Sequence, residues 1–169
     1  MKINVIQQGS RDILQIDDAR IVYRNFRGEG SKFNRVGDRN FSLVIPDEEI
    51  KDLLVGLGFN VKIKAPREEG EAPFMHLQVK VKYSDDPEDV DENGNRKGPS
   101  AYLTSGNNMV ALNDKTIACL DDIEIACVNL DIRSYDWTMP NGTSGRSAYL
   151  QSINVIQNID RFAAAYNNR

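Results

Sequence analysis

The amino-acid sequence predicts a mostly β protein, a barrel or a sandwich, and two observations predict it. Seven runs rich in β-branched or aromatic residues are bounded by Gly, Pro, Asn or Asp, whereas only three stretches have helical spacing. With 169 residues, 40% of them apolar, the chain is long enough to bury one hydrophobic core, and it shows no internal repeat and no linker. A single domain over residues 1–169 is the expectation.

In chain order, LQIDDARIVY (14–23) and FSLVI (41–45) read as the first strands. PDEEIKDLLVGLG (46–58) reads as a helix. Pro46 and acidic residues open it, Ile50, Leu53, Leu54 and Leu57 recur at helical spacing, and Gly56 or Gly58 stops it. FNVKIK (59–64), MHLQVKVKY (75–83) and AYLTS (101–105) are strands; NDKTIACLDD (113–122) supplies a helical turn or two. IEIACVNLDIR (123–133) and SAYLQSINVI (147–156) are the last strands, and NIDRFAAAY (158–166) is a short terminal helix.

Composition narrows the function. No apolar run approaches the roughly eighteen residues of a membrane span, and MKINVIQQGS lacks the apolar core of a secretory signal. A cytoplasmic protein without a membrane partner is expected. In that setting Cys119 and Cys127 read as buried free thiols, and Asn141-Gly-Thr reads as a turn rather than a glycosylation site.

Two strands reveal which face is wet. Phe59, Val61 and Ile63 alternate with Asn60, Lys62 and Lys64; Leu77, Val79, Val81 and Tyr83 alternate with His76, Gln78, Lys80 and Lys82. If these strands pair, Lys62, Lys64, Lys80 and Lys82 share one face. Alone, such lysines need mean no more than a solvated surface guarded against edge pairing.

The segment YRNFRGEGSKFNRVGDRNF (23–41) supplies a neighbour for them. Arg24, Arg27, Lys32, Arg35 and Arg39 outnumber Glu29 and Asp38, Gly28, Gly30 and Gly37 free the backbone, and Tyr23, Phe26, Phe33 and Phe41 are interleaved with the charges. Cations neutralise phosphates and flat rings stack on unpaired bases, so the pattern suits single-stranded nucleic acid. Tyr23 and Phe41 read as ends of core strands. Phe26 and Phe33 lie where no strand or helix period would carry them inward, and both are assigned to the ligand. Further along, Arg133, Tyr135 and Trp137 lie two apart in DIRSYDW, so an extended chain presents all three on one face, as a stacking platform or as a cover for the barrel mouth.

The formal net charge of -4 does not oppose this reading. DDPEDVDE (85–92) holds six carboxylates within a loop that runs to residue 98, and the rest of the chain is slightly basic. The loop is either a solvated segment or an internal polyanion that competes for the basic face. Asp89, Asp91, Asn93 and Gly94 copy the opening of a calcium loop, but Ser100 stands where its closing glutamate belongs, so Asn93-Gly94 is read as a hairpin turn. Catalytic patterns are thin: His76 is the only histidine, the two cysteines have no partner pair, and GEGSK lacks the setting of a phosphate loop. Paired acids such as Asp121 and Asp122 read as solvated or capping. No enzyme activity, metal or cofactor is expected.

The segments YRNFRGEGSKFNRVGDRNFSLVI, GFNVKIKAPREEGE, LTSGNN, VNLDIRSYDW and NGTSGRSAYLQSINV resemble a family of small bacteriophage and prophage proteins, single-stranded DNA-binding proteins of oligonucleotide-binding (OB) type, over most of the chain. The resemblance implies an OB-like Greek-key barrel of five strands with additions, here one inserted helix and a short C-terminal helix, with DNA held across the strands and loops. It implies binding and protection of single-stranded DNA, with little sequence preference, during phage replication or recombination in the host cytoplasm. Replication or recombination proteins, and further copies of the chain, are the protein partners to expect. The chain departs from many bacterial single-stranded DNA-binding proteins in ending AAAYNNR instead of in an acidic tip, which leaves residues 85–92 as the acidic substitute. The competing reading is a phage protein-interaction module that uses a sheet edge and the acidic loop.

Overall fold

The structure is a computed structural model that describes residues 1–159. Its strands are β1 (Lys2–Gln8), β2 (Arg11–Ala19), β3 (Ile21–Asn25), β4 (Arg39–Ile45), β5 (Lys62–Lys64), β6 (Phe74–Val81), β7 (Ser100–Ser105), β8 (Asn108–Leu112), β9 (Ile125–Thr138) and β10 (Ser144–Gln157). One α-helix, α1 (Glu48–Gly56), and one 3₁₀ turn (Ile117–Asp121) complete the described residues. Residues 160–166 of the expected terminal helix lie outside them.

The strands form one branched sheet in the order β1-β2-β9-β10-β6-β4-β3, with β5 on β6, β7 on β10 and β8 on β7. The fold is mostly β and OB-like, as expected, but the sheet does not close into a barrel. The edges β1 and β3 stay unpaired with each other because β2 and β3 part company at Asp18, whose φ of 55° turns the chain out of the ladder. That turn splits the single expected strand 14–23 in two. FNVKIK is also corrected: only Lys62–Lys64 pairs with β6, while Phe59 is buried and its N–H closes the end of α1 on the Leu54 carbonyl. Strands β1 and β8 were not foreseen, and β9 extends five residues beyond its expected end at Arg133, to Thr138.

Helix α1 lies where its pattern placed it. Asp47 caps it by accepting the Ile50 N–H at 2.9 Å, and Gly58, at φ 94°, carries the chain away after its last turn. On the inner face of the sheet, Leu14, Ile16, Leu43, Val79, Val128 and Ile132 are buried and form the core with Leu54 of α1 and with Ile117 and Leu120 of the 3₁₀ turn. Cys119 and Cys127 are free thiols, as expected, but half-buried rather than buried.

The core also takes one residue that the sequence assigned to a ligand. Phe26 is 0% exposed and its ring stacks on Phe41 with centroids 5.2 Å apart. The irregular chain after β3 folds it inward by hydrogen bonds, not by strand periodicity: the Asp121 carboxylate accepts the N–H groups of Phe26 and Arg27 at 2.8 and 3.1 Å. A ring with no exposed face cannot receive a base, so Phe26 belongs to the core. Phe26→Ala should therefore lower the free energy of unfolding by about 3–5 kcal/mol in a urea titration, the cost of a cavity of this size.

Candidate nucleic-acid interface

The outer face is built by cross-strand register. Arg133 on β9 stands opposite Tyr149 on β10, Tyr149 opposite Lys80 on β6, and Lys80 opposite Asn40 on β4. Directly opposed residues share a face, so these four form one row across the sheet. The row is a sandwich of charge on a ring: the Arg133 guanidinium lies 5.0 Å and the Lys80 ammonium 5.8 Å from the centroid of Tyr149. Tyr135 meets Tyr149 edge-on at 5.6 Å. Trp137 pairs with Gly145, where a side chain would strike the indole at 2.3 Å, so only glycine lets the ring lie there.

Strand β6 is the axis of this surface. Lys62 and Lys64 on β5 oppose His76 and Phe74, so both lysines share the outer face with Lys80, as the alternation predicted. Lys82 lies just past the end of β6 and lines the same groove. Two open cavities adjoin the strand and meet at Gln78 and Lys80. One, of about 540 Å³, runs under Phe33, Arg39, Lys82, Tyr83 and Tyr149; the other, of about 570 Å³, runs past Lys62, Trp137 and Ser147. The phenol of Tyr83 is pushed up to about 12 by burial, and its OH has no hydrogen-bond partner among the described residues.

The 23–41 segment divides into a base and a tip. Three of its cations hold the base down. Arg24 donates to the carbonyls of Leu120 and Ile123, both at 2.7 Å, and Arg27 pairs with Asp122 at 2.6 Å. Arg39 donates to the carbonyls of Phe26 and Asp114 and lies over the ring of Tyr83. The expectation that these arginines face phosphates is corrected for Arg24 and Arg27, whose donors are spent on the 3₁₀ turn. Arg39 reaches the groove wall but is equally committed. Asp121 and Asp122 are the acceptors for this docking rather than solvated caps.

At the tip, Lys32, Phe33 and Arg35 are exposed, Phe33 by 92%, with the Lys32 ammonium 5.7 Å from its ring. The tip is tied rather than loose. Asn34 donates to the carbonyls of Glu29 and Asp38 at 2.8 and 2.9 Å, and the Gly37 N–H reaches the Gly28 carbonyl at 2.8 Å. Gly28 has φ 70° and the backbone of Gly37 only 3.0 Å from where a Cβ would stand, so this crossing requires glycine.

One buried charge orients the long hairpin. Arg146 on β10 pairs with Asp12 and with Asp136 and donates to the Leu57 carbonyl at 2.9 Å, which joins β2, β9, β10 and the end of α1. The guanidinium holds the Asp136 carboxyl below its ordinary range. Asn141-Gly-Thr forms the hairpin turn, with Gly142 at φ 88°.

The acidic loop is a hairpin-like turn, as Asn93-Gly94 predicted. Asp91 accepts the N–H groups of Asn93 and Asn95 at 2.9 and 3.0 Å, Gly94 has φ 80°, and Lys97 lies 3.4 Å from Asp89. Asp85 borders the groove under Phe33.

Sequence reasoning missed three rings of the outer face. Tyr149 was legible from the alternation Ala148, Tyr149, Leu150, but its place beside Lys80 depends on register. Phe74 lies just before the expected strand. Tyr23 was placed in the core, yet is 59% exposed and meets Phe74 and His76 edge-on at 6.3 and 5.5 Å.

A mostly β, OB-like sheet whose wet face alternates rings and cations defines a protein of the single-strand-binding class. A family model described as "Putative phage ssDNA-binding domain" matches residues 5–168, and the chain belongs to that family of phage single-stranded DNA-binding proteins. Among solved structures, a "Single-stranded DNA-binding protein from bacteriophage Enc34, C-terminal truncation" is similar at 14% identity and a TM-score of 0.51, over 95% of this chain and 97% of that one. Comparison with curated protein sequences gives no match.

His76 sets a pH dependence. Burial, then the nearby Lys62 and Lys64, lower its pKa below 6.5, while Nδ1 shares a hydrogen bond with Ser42 Oγ at 3.1 Å. Between the lowered value and 6.5 the unfolded chain holds a proton that the folded chain sheds, so stability falls as pH drops through that window. His76→Gln should flatten this part of the dependence of Tm on pH, read as the difference between variant and parent from pH 7 to 5.

Proposed function

We propose that single-stranded DNA lies along β6 on the outer face, phosphates against Lys62, Lys80, Lys82 and Arg133, bases against Tyr149, Tyr135 and Trp137, with Lys32, Phe33 and Arg35 closing over it. The observation that carries this reading is Tyr149, a flat ring held between two cations in the middle of a solvent-facing sheet. Stacking of this kind accepts any base, which supports binding with little sequence preference and a role in protecting exposed strands during phage replication or recombination. The protein does this without chemistry, within the host cytoplasm. A second reading, protein interaction, is favoured only by the exposed Met109 and Val110 on the free edge of β8.

Fluorescence anisotropy with labelled oligo-dT at two salt concentrations tests the proposal. Affinity should fall steeply with salt, and Lys80→Gln should reduce the slope of log K against log salt by about 0.7, the share of one phosphate contact on a single strand. Tyr149→Leu should cost on the order of 1 kcal/mol with the slope unchanged, because it removes a stacking face and no charge. Binding that ignores salt would leave the protein-interaction reading in its place.

Charge reversal separates the two parts of the 23–41 segment. Arg35→Glu should weaken oligo-dT binding while Tm stays within about a degree, because a surface charge away from any network changes stability by less than about 0.5 kcal/mol. Arg24→Glu should instead lower Tm by several degrees, since it places a carboxylate against two carbonyl oxygens and leaves both without a donor.

A further inference from the structure

The outer face of β6 continues past the groove, and its chemistry changes there. Beyond Gln78, the same side of the strand carries His76 and Phe74, whose rings stack with centroids 5.3 Å apart and 28° between planes. Beside them opens a cavity of about 390 Å³, walled by Tyr23 and Phe74 together with Ala65, Pro66 and Ala72. Lys64 and Arg67 stand on its rim against a single acid, Glu71. The grooves further along are open and mostly polar, whereas this recess offers rings and apolar walls on several sides.

Tyr23 is held there under strain. Its φ of 51° is the left-handed region, which a bulky side chain occupies at a cost of roughly 1–3 kcal/mol. The ladder between β3 and β4 shifts register between Val22 and Asn25, and the irregularity aims the ring from the edge strand back over β4 toward β6. Ser42, buried on the outer face of β4, is the small residue on the way and is bonded to His76. Core packing does not explain the strain, because the ring is more exposed than buried. A ligand that covers the ring does.

We propose that this recess is a nucleobase pocket: it takes one base of the strand that follows β6, stacked against Tyr23 and Phe74, while Lys64 and Arg67 hold the flanking phosphates. The inference rests on the reading of the outer face as the DNA path. The pocket favours a purine, whose larger flat surface covers more of the two rings and of the apolar wall. A strand bound along the sheet therefore has one base seated differently from the others, and that base sets its register.

Two fluorophores separate this pocket from the path it extends. Trp137, the only tryptophan, lines the groove at the other end, and a single 2-aminopurine placed in an oligo-dT reports the pocket. Saturation should change Trp137 emission with either oligonucleotide and quench the 2-aminopurine several-fold. The oligonucleotide with the purine should bind about five- to tenfold more tightly than all-dT, the equivalent of about 1 kcal/mol of stacking. Tyr23→Leu and Phe74→Leu should abolish the quench and the preference while all-dT affinity stays within about twofold. Tyr23→Gly relieves the strained φ as it removes the ring, so its loss of quench with equal or higher Tm would exclude unfolding as the cause. If Trp137 responds while the 2-aminopurine stays bright, or stays quenched in Tyr23→Gly and Phe74→Leu, the pocket is refuted and the path stands. If neither fluorophore responds, the path fails and the pocket with it.

Discussion

The functional face depends on a very short piece of ladder. Strands β1, β2, β9 and β10, with the β7–β8 ribbon, form one half of the sheet, and β3, β4, β5 and β6 form the other; two residue pairs, Ala148 with Val79 and Tyr149 with Lys80, join them in parallel. Hydrophobic burial fixes this register. Ala148 and Val79 are buried, and a slip of one residue would bring Tyr149 or Lys80 into the core. The same constraint that turns Ala148 and Val79 inward places Tyr149 beside Lys80 on the outside, and the two halves become one continuous surface.

Arginine serves two ends in this molecule. A guanidinium has five donors in a rigid fork, which suits phosphate and carbonyl oxygen alike. Arg24 and Arg39 spend theirs on backbone carbonyls, and Arg146 on two carboxylates and a carbonyl, so each is a piece of architecture. Arg35 and Lys32 have no such partners among the described residues and stand at the tip of a loop whose base the other arginines secure. A basic and aromatic sequence run thus contains both the support and what it supports.

That mixture explains what could be read from the sequence. The alternation in FNVKIK and MHLQVKVKY specified which lysines share a face, because strand period is a local property, and the pairing of β5 with β6 follows it. Arg133, Tyr135 and Trp137 were legible for the same reason. Phe26 was not, because its burial depends on Asp121, 95 residues away, which captures its amide in a stretch without period. Tyr23 was misplaced in the opposite direction: its strand pattern points inward, and one left-handed residue turns it out. Closure of the sheet is a further matter that no local pattern carries, since it depends on where β2 and β3 diverge.

The placement of β9 and β10 has a consequence for how the protein comes into being. They are the spine of the sheet, flanked by β2 on one side and by β6 and β7 on the other, yet they are the last of the described strands to be synthesised. Until they emerge from the ribosome, the β1–β2 hairpin and the β4–β6 pair have nothing between them, and Asp12 waits for an arginine 134 residues downstream. Early partners with an unfilled middle present open strand edges, the feature that makes incomplete chains prone to aggregate. Assembly is therefore a late insertion event, and a chain interrupted before β10 carries most of the residues of the binding face without the surface that unites them.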